Sequence, residues 1–319
     1  MMNHEIKLSV LIVTYNHRQY IQQALNSVLA QKTNFKIEVL VGDDHSDDGT
    51  TELLCQAAQE NDCIVPVLRS DNIGATNNLC DLQMRAKGMF VAYLDGDDYW
   101  DDPEKLQKQV SFLETHNEYI ACTHRCHLVN ENGCLQKSQQ LRWISEKSKF
   151  SIKDFEGIIL PGHLSTLVHR NTFVDEKDLV RTIMTLHPVV GDRSLFLYLL
   201  SKGDIFNLPD RMSCYRQRND ATGSNATAHV YGKNPDRVRE DYIYTKRLEH
   251  CADELLHVDG GFIIHKRNIF AGAVWMAVRD PSKRTFAVLI DMLREGPVLD
   301  YLFHFPMQIF IKIRDRIYR

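Results

Sequence analysis

The sequence predicts an α/β protein: a doubly wound, mostly parallel sheet flanked by helices, followed by a mainly helical C-terminal region. Three observations lead there. Short β-rich apolar runs alternate with helix-spaced segments through the first hundred residues, the pattern of parallel strands joined by crossover helices. Polar clusters fall where those strands end: Thr14-Tyr15-Asn16, Asp43-Asp44 and Asp95-Gly96-Asp97-Asp98. Ligands of open α/β sheets bind beyond the carboxyl ends of the strands. From about Gln217 the pattern changes to a polar loop, NDATGSNAT, and then to helical stretches.

Element by element, Leu8 to Val13 (LSVLIV) is a strand of the kind buried on both faces. Tyr20 to Leu29 carries Ile21, Leu25, Val28 and Leu29 at helical spacing. Ile37 to Val41 is the second strand, and Thr50 to Gln59 a helix with Thr50 or Thr51 near its start. Ile64 to Leu68, Asn77 to Lys87 and Met89 to Leu94 continue as strand, helix, strand. A helix follows Pro103 to about His116, then a strand from Tyr119 to Val129 turned into a hairpin by Asn130 to Gly133. Ile158 to His169 reads as mixed, and Asp192 to Ser201 as a helix opened by a glycine.

Composition bounds the function. The 38 basic and 42 acidic residues leave a net charge of −4, with 25% charged and 44% hydrophobic residues in 319. These values exclude disordered, collagen-like and coiled-coil classes and speak against a generic nucleic-acid binder. The opening MMNHEIKLSV lacks the basic, apolar, small-residue order of a secretory signal, so the eight cysteines predict a reducing, cytoplasmic setting. No run approaches the roughly 18 apolar residues of a membrane span.

The motif richest in chemistry is YLDGDDYW, in which a strand delivers Asp95, Asp97 and Asp98 into one loop. Like charges this close repel, and burial raises their pKa values unless a cation neutralises them. Carboxylate oxygens suit Mg²⁺ or Mn²⁺, which bridge to substrate phosphates. The competing reading is an acidic surface turn that caps the next helix. A second acidic turn, GDDHSDDGT, follows the second strand; its acids suit a base or ribose, or simply an Asx-rich turn into a helix.

Taken together, VLIVTYNHRQYIQQALNSVLAQ, IEVLVGDDHSDDGT and YLDGDDYWDDPEKLQKQVSFLE resemble the family 2 glycosyltransferases of the GT-A fold over about 110 residues. A weaker resemblance runs to residue 218 through GDRSLFLYLLSKG and MSCYR. It implies a catalytic domain over 1–218, with a nucleotide-sugar half to about 115 and an acceptor half after it, and a helical region over 219–319. It also implies a UDP-sugar donor, a divalent cation, an inverting displacement, and a saccharide or lipid-linked saccharide acceptor. By position, Thr14, Tyr15 and Asp44 match the nucleoside-contacting positions, and Asn16 and Asp43 join them in the nucleotide-sugar site. Asp95 and Asp97 match the DxD acids, Asp97 for direct metal ligation and Asp95 nearer the ribose or sugar. Asp192 matches the general base, with Asp204 and Asp210 as rivals; its alternative role is a helix N-cap.

The sequence departs from the pattern twice. IGATNNLC offers Thr76-Asn77-Asn78 where many relatives have Arg-Asn, leaving Arg69 or Arg85 to supply the charge. Tyr215-Arg216-Gln217-Arg218 stands where relatives often place a His; Arg216 and Arg218 are diphosphate candidates because guanidinium forks suit phosphate. CTHRCHLVNENGC has metal-type residues, but its spacing fits strand-face positions better than paired zinc ligands. His163 is read as a structural histidine with a possible place in the acceptor cleft.

The C-terminal PVLDYLFHFPMQIFIKIRDRIYR joins apolar bulk to Lys312, Arg314, Arg316 and Arg319, interrupted by Pro306. That composition suits an anionic membrane face, a helix packed on the catalytic domain, or a subunit contact. Among other functions, a phosphatase reading of SDDGT fails because Ser46 stands at the nucleophile, and a nicotinamide dehydrogenase is excluded because VTYNHRQY has no glycine. A nucleotide-sugar-binding or scaffold protein without turnover stays open.

Overall fold

The computed structural model describes residues 6–218, 236–279, 281 and 283–317. The polar loop NDATGSNAT lies outside the described residues, as does Arg319. The first half follows the expected alternation: β1 (Leu8–Thr14), α1 (Ile21–Leu29), β2 (Ile37–Asp43), α2 (Thr50–Glu60), β3 (Ile64–Leu68), α3 (Ala75–Arg85) and β4 (Phe90–Asp95). Then come β5 (Tyr99–Trp100), α4 (Lys105–Thr115), β6 (Tyr119–Val129), β7 (Lys149–Phe150), β8 (Val168–Arg170), α5 (Lys177–Met184), α6 (Asp192–Lys202) and β9 (Asp204–Arg216). The helical region comprises α7 (Arg237–Cys251), α8 (Phe262–Arg279), α9 (Lys283–Glu295) and α10 (Val298–Ile317).

Among the described residues the strands form one sheet in the order β3-β2-β1-β4-β8-β6-β9-β5, with β7 on β9. The β3-β2-β1-β4 half is wholly parallel, as expected. The other half is mixed: β8 runs antiparallel to β4 and β6, while β6 and β9 are parallel. Pro66 sits in the edge strand β3, where a missing N–H is tolerated. The expected hairpin after Val129 reduces to one bridge, Val129 to Leu135.

Alternation along the inner strands divides two cores. Leu8, Val10 and Ile12 of β1 face α1, α2 and α4, whereas Leu11 and Tyr93 face α3, α5 and α6. α6 is apolar around its circumference from Leu195 to Leu200, and the structure buries all of it. Tyr244 and Leu248 of α7 enter this second core, while α8, α9 and α10 build a third cluster around Phe270, Met292 and Tyr301. α10 continues through Pro306 rather than ending there, with the one backbone hydrogen bond that a proline removes forgone.

Candidate active site

Parallel register sets the floor of the site. Thr14 pairs with Asp43, and Val13 with Asp95, so the ends of β1, β2 and β4 bring their polar residues to one edge. Gly96 is required where the chain leaves β4: a Cβ there would stand 2.7 Å from Thr14 Oγ1 and 2.8 Å from His17 Nδ1. Both of those buried atoms lack a hydrogen-bond partner, so the cradle presents unsatisfied polar groups.

The loop after β2 is tied down internally. Both Asp43 oxygens accept from hydroxyls, those of Ser46 and Thr51. Asp44 accepts the backbone N–H groups of Ile73 (2.8 Å) and Gly74 (2.9 Å), fixing the entry to α3. Asn16 has φ 54° and links the loops: its N–H donates to Ser46 Oγ and its Oδ1 accepts from the Asp47 N–H. Tyr15 stands beside them, 41% exposed.

The loop after β4 is different. Asp98 is buried; its Oδ1 accepts the Arg216 N–H at 2.8 Å, and its Oδ2 has no hydrogen-bond partner. His163 Nδ1 lies 3.8 Å from that orphaned oxygen. Donor atoms of Asp95, Asp98 and His163 converge within 4.8 Å of one another. Burial, then the neighbouring Asp97 and Asp192, push Asp95 up to about 7. Burial and the same acidic neighbourhood lift Asp98 well above the carboxylate range. Burial holds His163 down at about 4, so the imidazole is neutral; its Nδ1 also accepts the Ser165 N–H at 3.3 Å, a bond that a cation on this nitrogen would replace. Two crowded carboxylates, an orphaned oxygen and a neutral imidazole fit a divalent cation. His163 also stacks on Tyr215, with centroids 4.0 Å apart.

Asp97, the expected direct ligand, stands beside this set with its carboxylate on Arg218 (3.1 Å) and 3.9 Å from His17. Arg216 is committed to structure: it donates to the Asp97 and Glu131 carbonyls and to Gln23, and stacks over Tyr20. Of the two arginine side chains after Tyr215, Arg218 is the one that forms an ion pair with an acidic-loop carboxylate, that of Asp97. Arg69 and Arg85 both pair with Asp81 on α3, so neither restores the upstream charge freely.

Asp192 opens α6 as its first residue; Gly191 is the N-cap, so the capping role does not fall to Asp192. Burial raises its pKa, and it stands near enough to Asp95 and Tyr215 to raise theirs. Asp204 and Asp210 lie on β9, and Asp204 pairs with Lys149. Cys122 and His124 are buried strand residues, and all eight cysteines are free. The sequence assigns Asp98 no role, because it sits in a motif where two acids already have roles, and reads His163 as structural, because His163 reaches the site only through the mixed half of the sheet.

A model of glycosyl transferase family 2 matches residues 9–174, more than half of the chain. The chain belongs to glycosyl transferase family 2. An uncharacterized protein of Mycobacterium tuberculosis is 32% identical over 211 residues, covering 66% of this chain and 58% of its own length. A Campylobacter jejuni protein named GalNAc(5)-diNAcBac-PP-undecaprenol beta-1,3-glucosyltransferase is 32% identical over 156 residues, 47% of each chain. The fold matches Staphylococcus aureus TarS 1–349 solved with UDP-GlcNAc, with TM-score 0.55 at 18% identity over 91% of this chain and 85% of that one. This family 2 chain thus spans 58% of the length of the mycobacterial relative it matches.

Proposed function

We propose that the protein is an inverting glycosyltransferase that moves a sugar from a UDP-sugar to a hydroxyl of a surface-glycan or lipid-linked saccharide. The observation that carries this reading is the convergence of Asp95, Asp98 and His163, with an orphaned carboxylate oxygen, at the ligand edge of a family 2 fold. Asp95, Asp98 and His163 would hold Mn²⁺ or Mg²⁺, which when bound offsets charge on the departing diphosphate. Asp97 and Arg218 border that position; the Arg218 guanidinium suits a diphosphate oxygen. Thr14 and His17 line the turn at Gly96 beneath the donor, and Tyr15, Asn16 and the Asp43-Asp44 loop frame the nucleoside. Asp192 accepts the proton of the acceptor hydroxyl; its raised pKa brings it nearer to working pH.

The donor class is supported by TarS, solved with UDP-GlcNAc, and the acceptor class by the undecaprenol-linked acceptor in the Campylobacter name. No helix among the described residues is long and apolar enough to cross a membrane. α10 nevertheless exposes Leu299, Leu302, Phe303 and Met307, and the sequence then supplies Lys312, Arg314, Arg316 and Arg319. That pairing suits peripheral contact with an anionic bilayer carrying the acceptor.

The test is UDP release from UDP-GlcNAc and related donors by wild type and Asp192→Asn. Turnover falling by about 10²–10⁴-fold with UDP affinity unchanged is expected of a lost base. Full turnover in the variant moves the base elsewhere, and no turnover of any donor by wild type favours a binding or scaffold protein.

A further inference from the structure

The residues on both sides of Asp192 are gripped by α7, a helix outside the recognisable catalytic motifs. Arg193, next to Asp192, is buried. Its Nε and Nη2 donate to the Gly157 carbonyl at 3.0 and 2.6 Å, and Nη2 also donates to Thr245 Oγ1 at 3.0 Å. Nη1 donates to Asp241 Oδ1 at 2.8 Å. The guanidinium also lies over the Tyr244 ring, 4.8 Å from its centroid. Asp241 is held from its other side by His265 of α8, with Nε2 at 3.0 Å from Oδ2.

The same helix holds the approach to Asp192. Arg247 donates to the Leu186 carbonyl at 3.0 Å. The His187 ring packs on Tyr244, and its Nδ1 accepts the N–H groups of Val189 and Val190, shaping the turn into α6. Ser194 Oγ and Tyr244 OH are hydrogen-bonded at 2.9 Å. Residues 186, 187, 193 and 194 are therefore all tied to one face of α7, and Asp192 lies between them.

We propose that α7, acting through Arg193 and Asp241, is the positioning element for the Asp192 carboxylate. The inference rests on Asp192 being the general base of the proposed transfer. A base must meet the acceptor hydroxyl within hydrogen-bond reach, and a displacement of about 1 Å costs about 10²-fold in rate. Arg193 has two separable effects. Its fork fixes the first turn of α6 against α7, and its charge lowers the Asp192 pKa against the burial that raises it. A structural anchor alone would act on stability and leave the ionisation of Asp192 untouched.

The experiment uses the full chain, with UDP-GlcNAc as donor probe, and measures UDP release against pH, UDP affinity with Mn²⁺, and melting temperature. Asp241→Asn and Arg193→Lys are expected to lower kcat by about 10-fold or more with UDP affinity unchanged. Arg193→Gln also removes the charge that favours ionised Asp192, so its acid limb moves to higher pH; Arg193→Lys keeps the charge and the wild-type limb. Unchanged kcat and pH profile in all three variants, with only melting temperature lowered, would overturn the positioning role. Asp192→Asn, run in parallel, separates the two ideas: full activity there sinks the base assignment itself, whereas its inactivity beside normal Arg193 and Asp241 variants sinks only the inference.

Discussion

Two acidic loops of similar composition leave the same edge of the sheet, and they spend their carboxylates in opposite ways. After β2, Asp43 accepts from Ser46 and Thr51, Asp44 from Ile73 and Gly74, and Asp48 from Arg18 and Thr50. Burial works against Asp48 ionisation, but these hydrogen bonds outweigh it and hold its pKa below the usual range. After β4, Asp98 keeps an orphaned oxygen and both Asp95 and Asp98 are driven upward by burial and by their neighbours. A carboxylate saturated by neighbouring hydroxyl and N–H donors shapes a loop; one left crowded and unsatisfied is poised for a ligand.

The largest effect should separate these loops outright. Asp98→Asn is expected to weaken Mn²⁺ binding by at least the 10–100-fold that loss of an outer-shell partner costs, while raising the melting temperature of the metal-free protein by relieving repulsion. Calorimetry and a thermal melt check both; a lowered melting temperature with metal binding retained would merge the two loops into one structural class.

Asp44→Ala should do the reverse. It strands the Ile73 N–H at the start of α3, whereas the Gly74 N–H keeps Asn72 Oδ1 at 3.1 Å, costing about 1–3 kcal/mol in urea unfolding. A smaller loss would mean that water replaces the carboxylate at no penalty.

Away from both loops, Asp241 gives a comparable stability effect with a defined pH window. Burial opposes ionisation, but His265 and Arg193 outweigh it and bring its pKa down to about 2. Because the folded value lies below the unfolded one, the stabilisation is present above about pH 4 and is lost as pH falls through about 2. About 2 kcal/mol of acid sensitivity should therefore disappear in Asp241→Asn. Unfolding curves between pH 2 and 5 measure it, and an unchanged acid slope would refute the pairing. The smallest effect belongs to Asp47→Ala, whose exposed side chain should matter by less than about 0.5 kcal/mol.

What the sequence made legible was local. β1 to β4 and their helices fall within a few residues of the expected bounds, because apolar periodicity and turn residues are properties of neighbouring positions. The acidic motif at Asp95 to Asp98 and the helix opening at Asp192 were legible for the same reason. The mixed half was less so: β7 and β8 are two or three residues long and exist through pairing with distant strands, and α5 left no assigned signal in KDLVRTIM. His163 belongs to the site because the loop before β8 lies against the end of β4, a relation no local window contains. Asp97 and Asp98 differ by one position in a turn, and only the turn geometry decides that the first meets Arg218 and the second His163.

The central claim is that the loop after β4 binds a divalent cation together with a nucleoside diphosphate. Its most direct test is calorimetric titration of UDP into the wild-type protein with and without Mn²⁺, repeated in Asp98→Asn with its fold checked by a thermal melt. The account predicts Mn²⁺-dependent UDP binding that is lost in Asp98→Asn while the variant stays folded. UDP binding that is indifferent to Mn²⁺, or that survives Asp98→Asn unchanged, would contradict it.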